Sequence, residues 1–275
     1  MNSSQTIIAA VNFSDTAVNA ATYASGLAKA TGSKLVLFNS FTMSVHSSNS
    51  RITAGELQKE LERASLRLNI LAKDLAKMFD IEVECFSSHS FLESEIDIII
   101  ENTKADLVVL GMAERSFEQD LIGNTTTSLI KKLRIPVLAV PGNARFKNIN
   151  KILFARDASM LPLEEKNSWF IQMAEVLKAE VEFFSVDEKI DHLMKQQGEI
   201  YQEDHEAFQS VKFIYKSIRS STVVNEIRNE IKNYGADILV MAPQKYGFWD
   251  SLVHISKTRI MASGLDIPLL SISNF

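Results

Sequence analysis

The heptapeptide ADLVVLG at residues 105–111 decides the fold, because the chain repeats it at residues 236–242 as ADILVMA. Each copy is a short apolar run that follows an aspartate. Runs of this length and composition are typical of strands buried on both faces of a parallel sheet. We therefore expect the two heptapeptides to be equivalent strands of two similar domains.

Two further landmarks recur in the same order around this repeat. IIAAVN at residues 7–12 corresponds to ILFARD at 152–157, and IPVLAV at 135–140 corresponds to IPLLSI at 267–272. Three landmarks in one order indicate a duplicated domain. We predict domains at residues 1–141 and 151–275, joined by the polar segment between them.

Strand and helix patterns alternate within each copy. Strand patterns occupy residues 7–11, 34–41, 81–87, 106–110 and 136–140 in the first copy and 151–155, 180–186, 212–215, 237–241 and 268–272 in the second. Helical patterns separate them at 15–31, 53–79, 91–102 and 124–133, and at 163–178, 188–208, 223–234 and 252–263. This alternation predicts α/β architecture: two tandem, doubly wound, five-stranded parallel sheets with flavodoxin-like layering.

Composition excludes several classes of protein. The 275 residues carry 29 basic and 34 acidic side chains, a net charge of -5, and neither half is basic, so we expect no nucleic-acid binding. No signal-peptide or membrane-spanning pattern occurs, and the single cysteine, Cys85, cannot form an internal disulfide. We expect a cytoplasmic protein that does not insert into membranes.

Ligands of open parallel sheets bind beyond the carboxyl ends of the strands, where strand order reverses. Gly111 ends the fourth strand, and Gly123-Asn124-Thr125 precedes the next helix. A glycine followed by a helix start offers free N–H groups to an anion. The same residues are equally those that end a loop and cap a helix. Spacing alone supports both readings.

With these features the chain resembles the universal stress protein family. The resemblance rests on the ending of strand one (VNFSD, residues 11–15), the block from Gly111 to Pro141, and the duplication. It implies the adenine-nucleotide alpha-hydrolase-like variant of the fold and a role in stress response. Some members of this family bind ATP. An aspartate after strand one contacts adenine, and a loop G-x-x-G-x9-G-[S/T] wraps the phosphates and ribose.

The first copy matches most of this loop but lacks the aspartate. Asn12 stands at the aspartate position, and Glu114 replaces the second glycine. The other positions that the resemblance implies for nucleotide contact are Val11, Ser40, Gly111, Gly123, Asn124 and Thr125.

The second copy has the opposite pattern. Asp157 matches the aspartate, but Ala242, Lys245 and His254 stand where the loop needs glycines. The resemblance therefore implies ATP or AMP binding in the first domain and a degenerate loop in the second.

No catalytic motif is present in the sequence. It contains no nucleophile elbow, no Walker loop and no metal-ligand spacing of histidines, so we expect no robust enzymatic activity. Three hypotheses remain: a nucleotide-responsive regulator, a ligand-free scaffold or interaction protein of the same family, and, least supported, a weak ATP hydrolase. Related domains pair through their last strands, so the resemblance implies an intramolecular pseudo-dimer through residues 136–140 and 268–272, and further pairing into a homodimer.

Overall fold

The computed structural model describes residues 5–40, 54–112, 124–156, 168–187, 211–241 and 265–272. The chain divides into two compact units. Unit 1 comprises Met1–Ala113 and Gly123–Phe146, and unit 2 includes Lys147–Phe275. The predicted α/β architecture is confirmed, since parallel strands alternate with helices in both units. The helices expected at residues 188–208 and 252–263 lie outside the described residues.

Unit 1 contains five described strands and four described helices. The strands are β1 (Thr6–Ala10), β2 (Lys34–Ser40), β3 (Val83–Ser88), β4 (Leu107–Met112) and β5 (Val137–Pro141). The helices are α1 (Asp15–Thr31), α2 (Ala54–Phe79), α3 (Leu92–Thr103) and α4 (Asn124–Lys132). The strands are parallel in the order β3-β2-β1-β4-β5. Strand order therefore reverses at β1, which pairs with both β2 and β4.

The apolar residues of β1 alternate between the two faces of the sheet. Ile8 and Ala10 belong to a buried cluster with residues of α3 and α4, including Ile96 and Leu129. Helix α1 lies on the opposite face, where its alanine-rich surface packs against the strands. Small side chains allow this helix to approach the sheet closely, which brings its amino end to the point where strand order reverses.

The aspartates of the repeated heptapeptide have the same structural role in both units. Asp106 Oδ2 accepts a hydrogen bond of 2.8 Å from the backbone N–H of Thr6, at the start of β1. Asp237 Oδ2 accepts bonds of 2.8 and 2.9 Å from the N–H groups of Asn150 and Lys151, at the start of the first strand of unit 2. Each aspartate satisfies backbone donors that begin the neighbouring strand. Its recurrence in the sequence thus has a structural explanation.

The segment expected as a linker is bound to unit 1 through its first half. Asn19 Nδ2 donates to the carbonyls of Pro141 and Ala144 at 2.9 and 3.0 Å. The Phe146 ring meets Tyr23 edge to face, 5.3 Å between centroids. Gly26 makes room for this ring, because a Cβ there would lie 2.5 Å from it. Unit 1 accordingly extends to Phe146.

Unit 2 repeats the arrangement in its described part. Its strands are β6 (Lys151–Arg156), β7 (Glu180–Asp187), β8 (Phe213–Arg219), β9 (Ile238–Met241) and β10 (Leu269–Ser271), parallel in the order β10-β9-β6-β7-β8. Its helices are α5 (Ser168–Leu177) and α6 (Val223–Glu230), and α6 continues into a π-helical turn, Ile231–Gly235. Strand order reverses at β6, as it does at β1 in unit 1. Of the helices described in both units, none is long and apolar enough to cross a bilayer.

Candidate functional site

A cavity of about 400 Å³ opens in unit 1 where strand order reverses. This volume falls within the range of about 300–1,000 Å³ that is usual for small-molecule sites. Part of the wall is apolar and part carries hydroxyl and amide groups, and none of the described lining residues is charged. The lining residues are Ala10, Val11, Asn12, Ser14, Thr16, Ala17, Phe38, Ser40, Leu92, Leu110, Gly111 and Thr126.

Hydrogen bonds join Val11, which follows β1 at the cavity wall, to the neighbouring strand β2. Val11 is buried, its N–H donates to the carbonyl of Phe38 at 2.8 Å, and its own carbonyl accepts from Asn39 Nδ2 at 2.6 Å. Asn39 is itself buried, and no hydrogen-bond partner reaches its Oδ1 among the described residues. The N–H of Val11 is therefore not available to a ligand, and its carbonyl already accepts one hydrogen bond within the protein.

Asn12 and Ser14 form a hydrogen-bonded turn at the start of α1. Asn12 Oδ1 accepts from the Ser14 N–H at 3.1 Å and from the Ser14 hydroxyl at 2.7 Å. Ser14 Oγ in turn accepts from the Ala17 N–H at 3.3 Å, which caps the helix. The start of α1 therefore depends on the amide oxygen of Asn12 as well as on the cap residue Ser14.

Phe13 connects this turn to helix α2. Its φ is +62°, in the left-handed region that a bulky residue rarely adopts. Its ring accepts the guanidinium of Arg67 at 4.2 Å from the ring centroid, a cation–π contact. A side-chain contact between two elements thus helps to hold the unusual backbone that positions Asn12 and Ser14.

Ser40 lies at the carboxyl end of β2, on the cavity wall. Its hydroxyl donates to the carbonyl of Ser90, which precedes α3. Because the hydroxyl proton is used in this bond, Ser40 can offer a ligand only the lone pairs of its oxygen.

Gly111 has a packing role that the sequence does not reveal. A Cβ at this position would lie 2.6 Å from the carbonyl oxygen of Thr16 and 3.0 Å from the backbone nitrogen of Ala17. The absent side chain lets β4 touch the first turn of α1. The nucleotide contact that the family resemblance implies for Gly111 stays a prediction, and the structure adds a close contact between Gly111 and the backbone of α1.

The amino end of α4 contributes a buried hydroxyl to the cavity. Helix α4 begins at Asn124, and Thr126 is buried in the cavity wall. Gly123 and Asp157 lie outside the described residues, as do the side chains of Asn124 and Thr125. Of the predicted contact positions, the structure brings together Val11, Asn12, Ser40 and Gly111.

Sequence reasoning missed Thr16, Asn39 and Thr126. Thr16 directly follows the segment at residues 11–15, and Thr126 directly follows Thr125, and the sequence analysis named both of these neighbours. The rotation of each helix about its axis decides which hydroxyl faces the cavity. Asn39 carries a signal in retrospect, because it is a polar residue near the end of an otherwise apolar strand.

Unit 2 contains a buried pair of carboxyl groups between β7 and α6. Glu182 and Glu230 are each 5% exposed, and Glu230 Oε2 forms an ion pair of 2.6 Å with Lys216 on β8. Glu182 Oε1 has no hydrogen-bond partner among the described residues. Burial, together with the negative charge of Glu230, raises the pKa of Glu182 to about 7, although the charge of Lys216 opposes the shift.

The described residues contain no group of three or more side chains that could hold a metal ion. Cys85 is half-buried, its thiol lies 3.8 Å from the carbonyl of Leu68, and burial raises its pKa. A raised pKa lowers the thiolate fraction, so this thiol is poorly suited to nucleophilic chemistry.

Comparisons with known proteins agree with the resemblance seen in the sequence. The model of the universal stress protein family matches residues 3–141. A search of curated proteins finds no match to this chain.

Solved structures resemble the whole chain in fold. One is a universal stress protein from Archaeoglobus fulgidus DSM 4304, 14% identical, with a TM-score of 0.75 and 98% of each chain covered. Another is a protein of unknown function from Pseudomonas aeruginosa PAO1, 13% identical, with a TM-score of 0.56, covering 98% of this chain and 93% of the other. At these identities the likeness shows the fold alone.

Proposed function

This chain belongs to the universal stress protein family, and from that membership we propose that it is a stress-response regulator whose unit 1 cavity binds an adenine nucleotide. ATP and AMP are the ligands that the family resemblance implies. The observation that carries the proposal is the cavity itself, of about 400 Å³ at the point where strand order reverses in unit 1.

The cavity wall matches the two chemical ends of a nucleotide. Apolar contact from Ala10 and Leu92 suits a purine base, and the lone pairs of Ser40 suit a ribose hydroxyl. The amino end of α4, beginning at Asn124, directs backbone N–H groups outward and suits a phosphate. Occupancy would shift the population of conformations that a partner protein recognises.

Calorimetric titration of the full chain with ATP, ADP and AMP tests the proposal. We expect saturable heat with the wild type and at least a tenfold weaker interaction with Ala10→Leu, which fills a cavity whose wall includes Ala10. Ala30→Leu is the matched control, because Ala30 is exposed near the end of α1. Absence of heat and of any thermal shift at millimolar nucleotide would refute nucleotide binding.

A second function, a scaffold without a ligand, is favoured by two observations. The missing side chain of Gly111 is explained by the packing of α1, and no described lining residue carries a charge to pair with phosphate. Mass spectrometry of small molecules released from the natively purified protein separates the two functions. A stoichiometric nucleotide would exclude the scaffold, and its absence together with a silent titration would favour it.

A further inference from the structure

Residues 142–146, which we call the strap, contact one face of helix α1. That face carries Asn19, Tyr23 and Gly26, at spacings of four and three residues that place them in one row along the helix. Each of the three contacts the strap or makes room for it. The strap is thus bound along about two turns of the helix.

Phe146 anchors the last residue of the strap. Its ring meets Tyr23 edge to face, with 5.3 Å between the ring centroids. The ring also lies against Gly26, where an added Cβ would be 2.5 Å from it. Glycine inside a helix is destabilising relative to alanine. The place that it leaves for the Phe146 ring explains why glycine stands at this position.

Asn19 joins the strap to the helix by hydrogen bonds from both ends of its amide. Its Nδ2 donates to the carbonyls of Pro141 and Ala144 at 2.9 and 3.0 Å. Its Oδ1 accepts from Arg145 Nη1 at 2.5 Å, and the same Nη1 donates to the carbonyl of Gly142 at 2.9 Å. The position of Asn19 therefore determines where the strap can bind.

The start of the same helix forms part of the cavity wall. Ser14, Thr16 and Ala17 line the cavity, and β4 meets this turn at Gly111. A Cβ on Gly111 would lie 2.6 Å from the carbonyl oxygen of Thr16, so β4 and the helix cannot approach more closely. Asn19 follows Thr16 by three residues, which is about 4.5 Å along the helix axis. A displacement of the first turn therefore also displaces Asn19.

We propose that the strap and the unit 1 cavity are coupled through α1. The helix is held by Gly111 of β4 at its first turn and by the strap along its outer face. Displacing the first turn should release the strap, and releasing the strap should destabilise the first turn, because a coupling between two sites is reciprocal. The strap leads directly into Lys147, which belongs to unit 2, so the state of the cavity reaches the chain where that unit begins.

Hydrogen–deuterium exchange of the full chain without ligand tests the coupling from the cavity side. Gly111→Ala forces the first turn of α1 away from β4 and should raise the exchange rates of the strap amides about fivefold or more relative to those of β2. Gly32→Ala is the matched control, because Gly32 follows the far end of α1 and an added Cβ there meets nothing within 4 Å. Strap exchange that is equal in wild type and Gly111→Ala overturns the coupling.

Phe146→Ala tests the coupling from the strap side and does not depend on the folding of Gly111→Ala. It should raise the exchange rates of the Ala17 and Val18 amides, which bond to Ser14, about fivefold or more. Phe91→Ala is the matched control, because Phe91 precedes α3 and its side chain is 66% exposed. Unchanged exchange of these two amides in Phe146→Ala also overturns the coupling.

A further variant separates the strap from a general loss of packing. Gly26→Ala places a Cβ against the Phe146 ring, so in the wild-type background it should raise the exchange rates of the Ala17 and Val18 amides. In the Phe146→Ala background the ring is absent, and the same substitution should leave those rates unchanged. Equal effects in both backgrounds would show that the strap is not the cause and would overturn the coupling.

Titration with AMP extends the test to a ligand, and this arm rests on the proposed function. Binding adds contacts to the first turn of α1, so it should slow strap exchange in the wild type and have no effect in Ala10→Leu, whose cavity is filled. Saturable binding that leaves strap exchange unchanged overturns the coupling and leaves nucleotide binding intact. Absence of binding refutes the proposed function alone, because the variants without ligand decide the coupling.

Discussion

At the scale of single residues, Gly111 fits both a nucleotide-binding motif and a requirement for close packing of a helix on the sheet. Its place after strand four suggested a phosphate glycine, yet its Cα lies against the first turn of α1. The packing requirement alone accounts for glycine here. A glycine at a motif position is therefore weak evidence for a ligand until its surroundings are known.

We predict that Gly111→Ala lowers the free energy of unfolding by about 1–3 kcal/mol, because the added Cβ meets backbone atoms that cannot rotate away. Urea unfolding followed by far-ultraviolet circular dichroism measures the loss. Gly32→Ala is the comparison, because a Cβ at that position meets nothing within 4 Å. Its loss of stability comes from the φ of +67° alone and should be about 1 kcal/mol. A loss for Gly111→Ala smaller than that for Gly32→Ala would contradict the packing argument.

At the scale of elements, the contact between β7 and α6 places two buried carboxyl groups beside each other and next to a partly exposed lysine. Glu182 on β7 faces Glu230 at the end of α6 and Lys216 on β8, while Tyr234 lies in the π-helical turn that follows. Burial and the neighbouring carboxylates raise the pKa of Tyr234 as well. The contact is therefore most favourable when Glu182 is protonated.

We predict that unit 2 loses stability as pH rises from about 5 to 8. The pKa of Glu182 is about 7 in the folded state, whereas its ordinary value is 4.5. The protonated side chain therefore contributes its full stabilisation below pH 4.5, and this contribution is lost as pH rises through 7. Glu182→Gln removes the titration and should be more stable than wild type at pH 8 by roughly 2–3 kcal/mol. Urea unfolding followed by tryptophan fluorescence is suitable, because Trp169 and Trp249 both belong to unit 2.

Glu180→Gln is the matched control for this prediction. Burial is the largest single influence on the pKa of Glu180 and raises it, but the interactions with Lys212, Tyr234 and Lys151 together outweigh burial and lower the pKa. Its stabilising contribution is therefore present at neutral pH and lost only in acid. The free energy of unfolding of Glu180→Gln should still decline between pH 5 and 8, as that of the wild type does. A wild-type free energy of unfolding that stays constant over this interval would refute the assignment to Glu182.

At the scale of the whole molecule, the two units have the same strand order and differ at the ligand edge. Gly111 and Gly123 of the first copy correspond to Ala242 and His254 of the second. The family resemblance implies that glycines at these positions leave room for phosphate, and the second copy lacks both glycines. The pseudo-dimer through the last strands of the units and the homodimer stay predictions.

We predict that the chain binds one nucleotide, not two. Calorimetry with AMP should give a stoichiometry of about one per chain, because unit 1 has the cavity and both loop glycines, whereas the second copy has Ala242 and His254 in place of those glycines. Ala10→Leu should abolish the single binding event without revealing a second. A stoichiometry of two would show that unit 2 binds as well.

The repeated aspartates explain why the fold could be predicted so fully. Asp106 and Asp237 were visible in the sequence as members of a repeat, and each begins the pairing of neighbouring strands in the structure. A strand pattern of this kind can be recognised in the sequence because it depends only on residues adjacent in the chain and on one neighbouring strand.

The candidate site could be predicted only in part, because its chemistry depends on groups distant in sequence. Val11 and Asn12 were identified from position, but Thr126 and Asn39 were not. The orientation of the Asn12 amide depends on its two hydrogen bonds with Ser14, which no pattern of residue types records.

The sequence by itself determined the duplication, the α/β class and the edge at which a ligand would bind, because apolar period and strand order follow from local burial. The tertiary structure decided what Gly111 touches, which groups line the cavity and how two carboxyl groups come to share one buried contact. These depend on the approach of helices to the sheet within a few tenths of an ångström. Packing of many residues fixes that distance, and no single stretch of sequence encodes it.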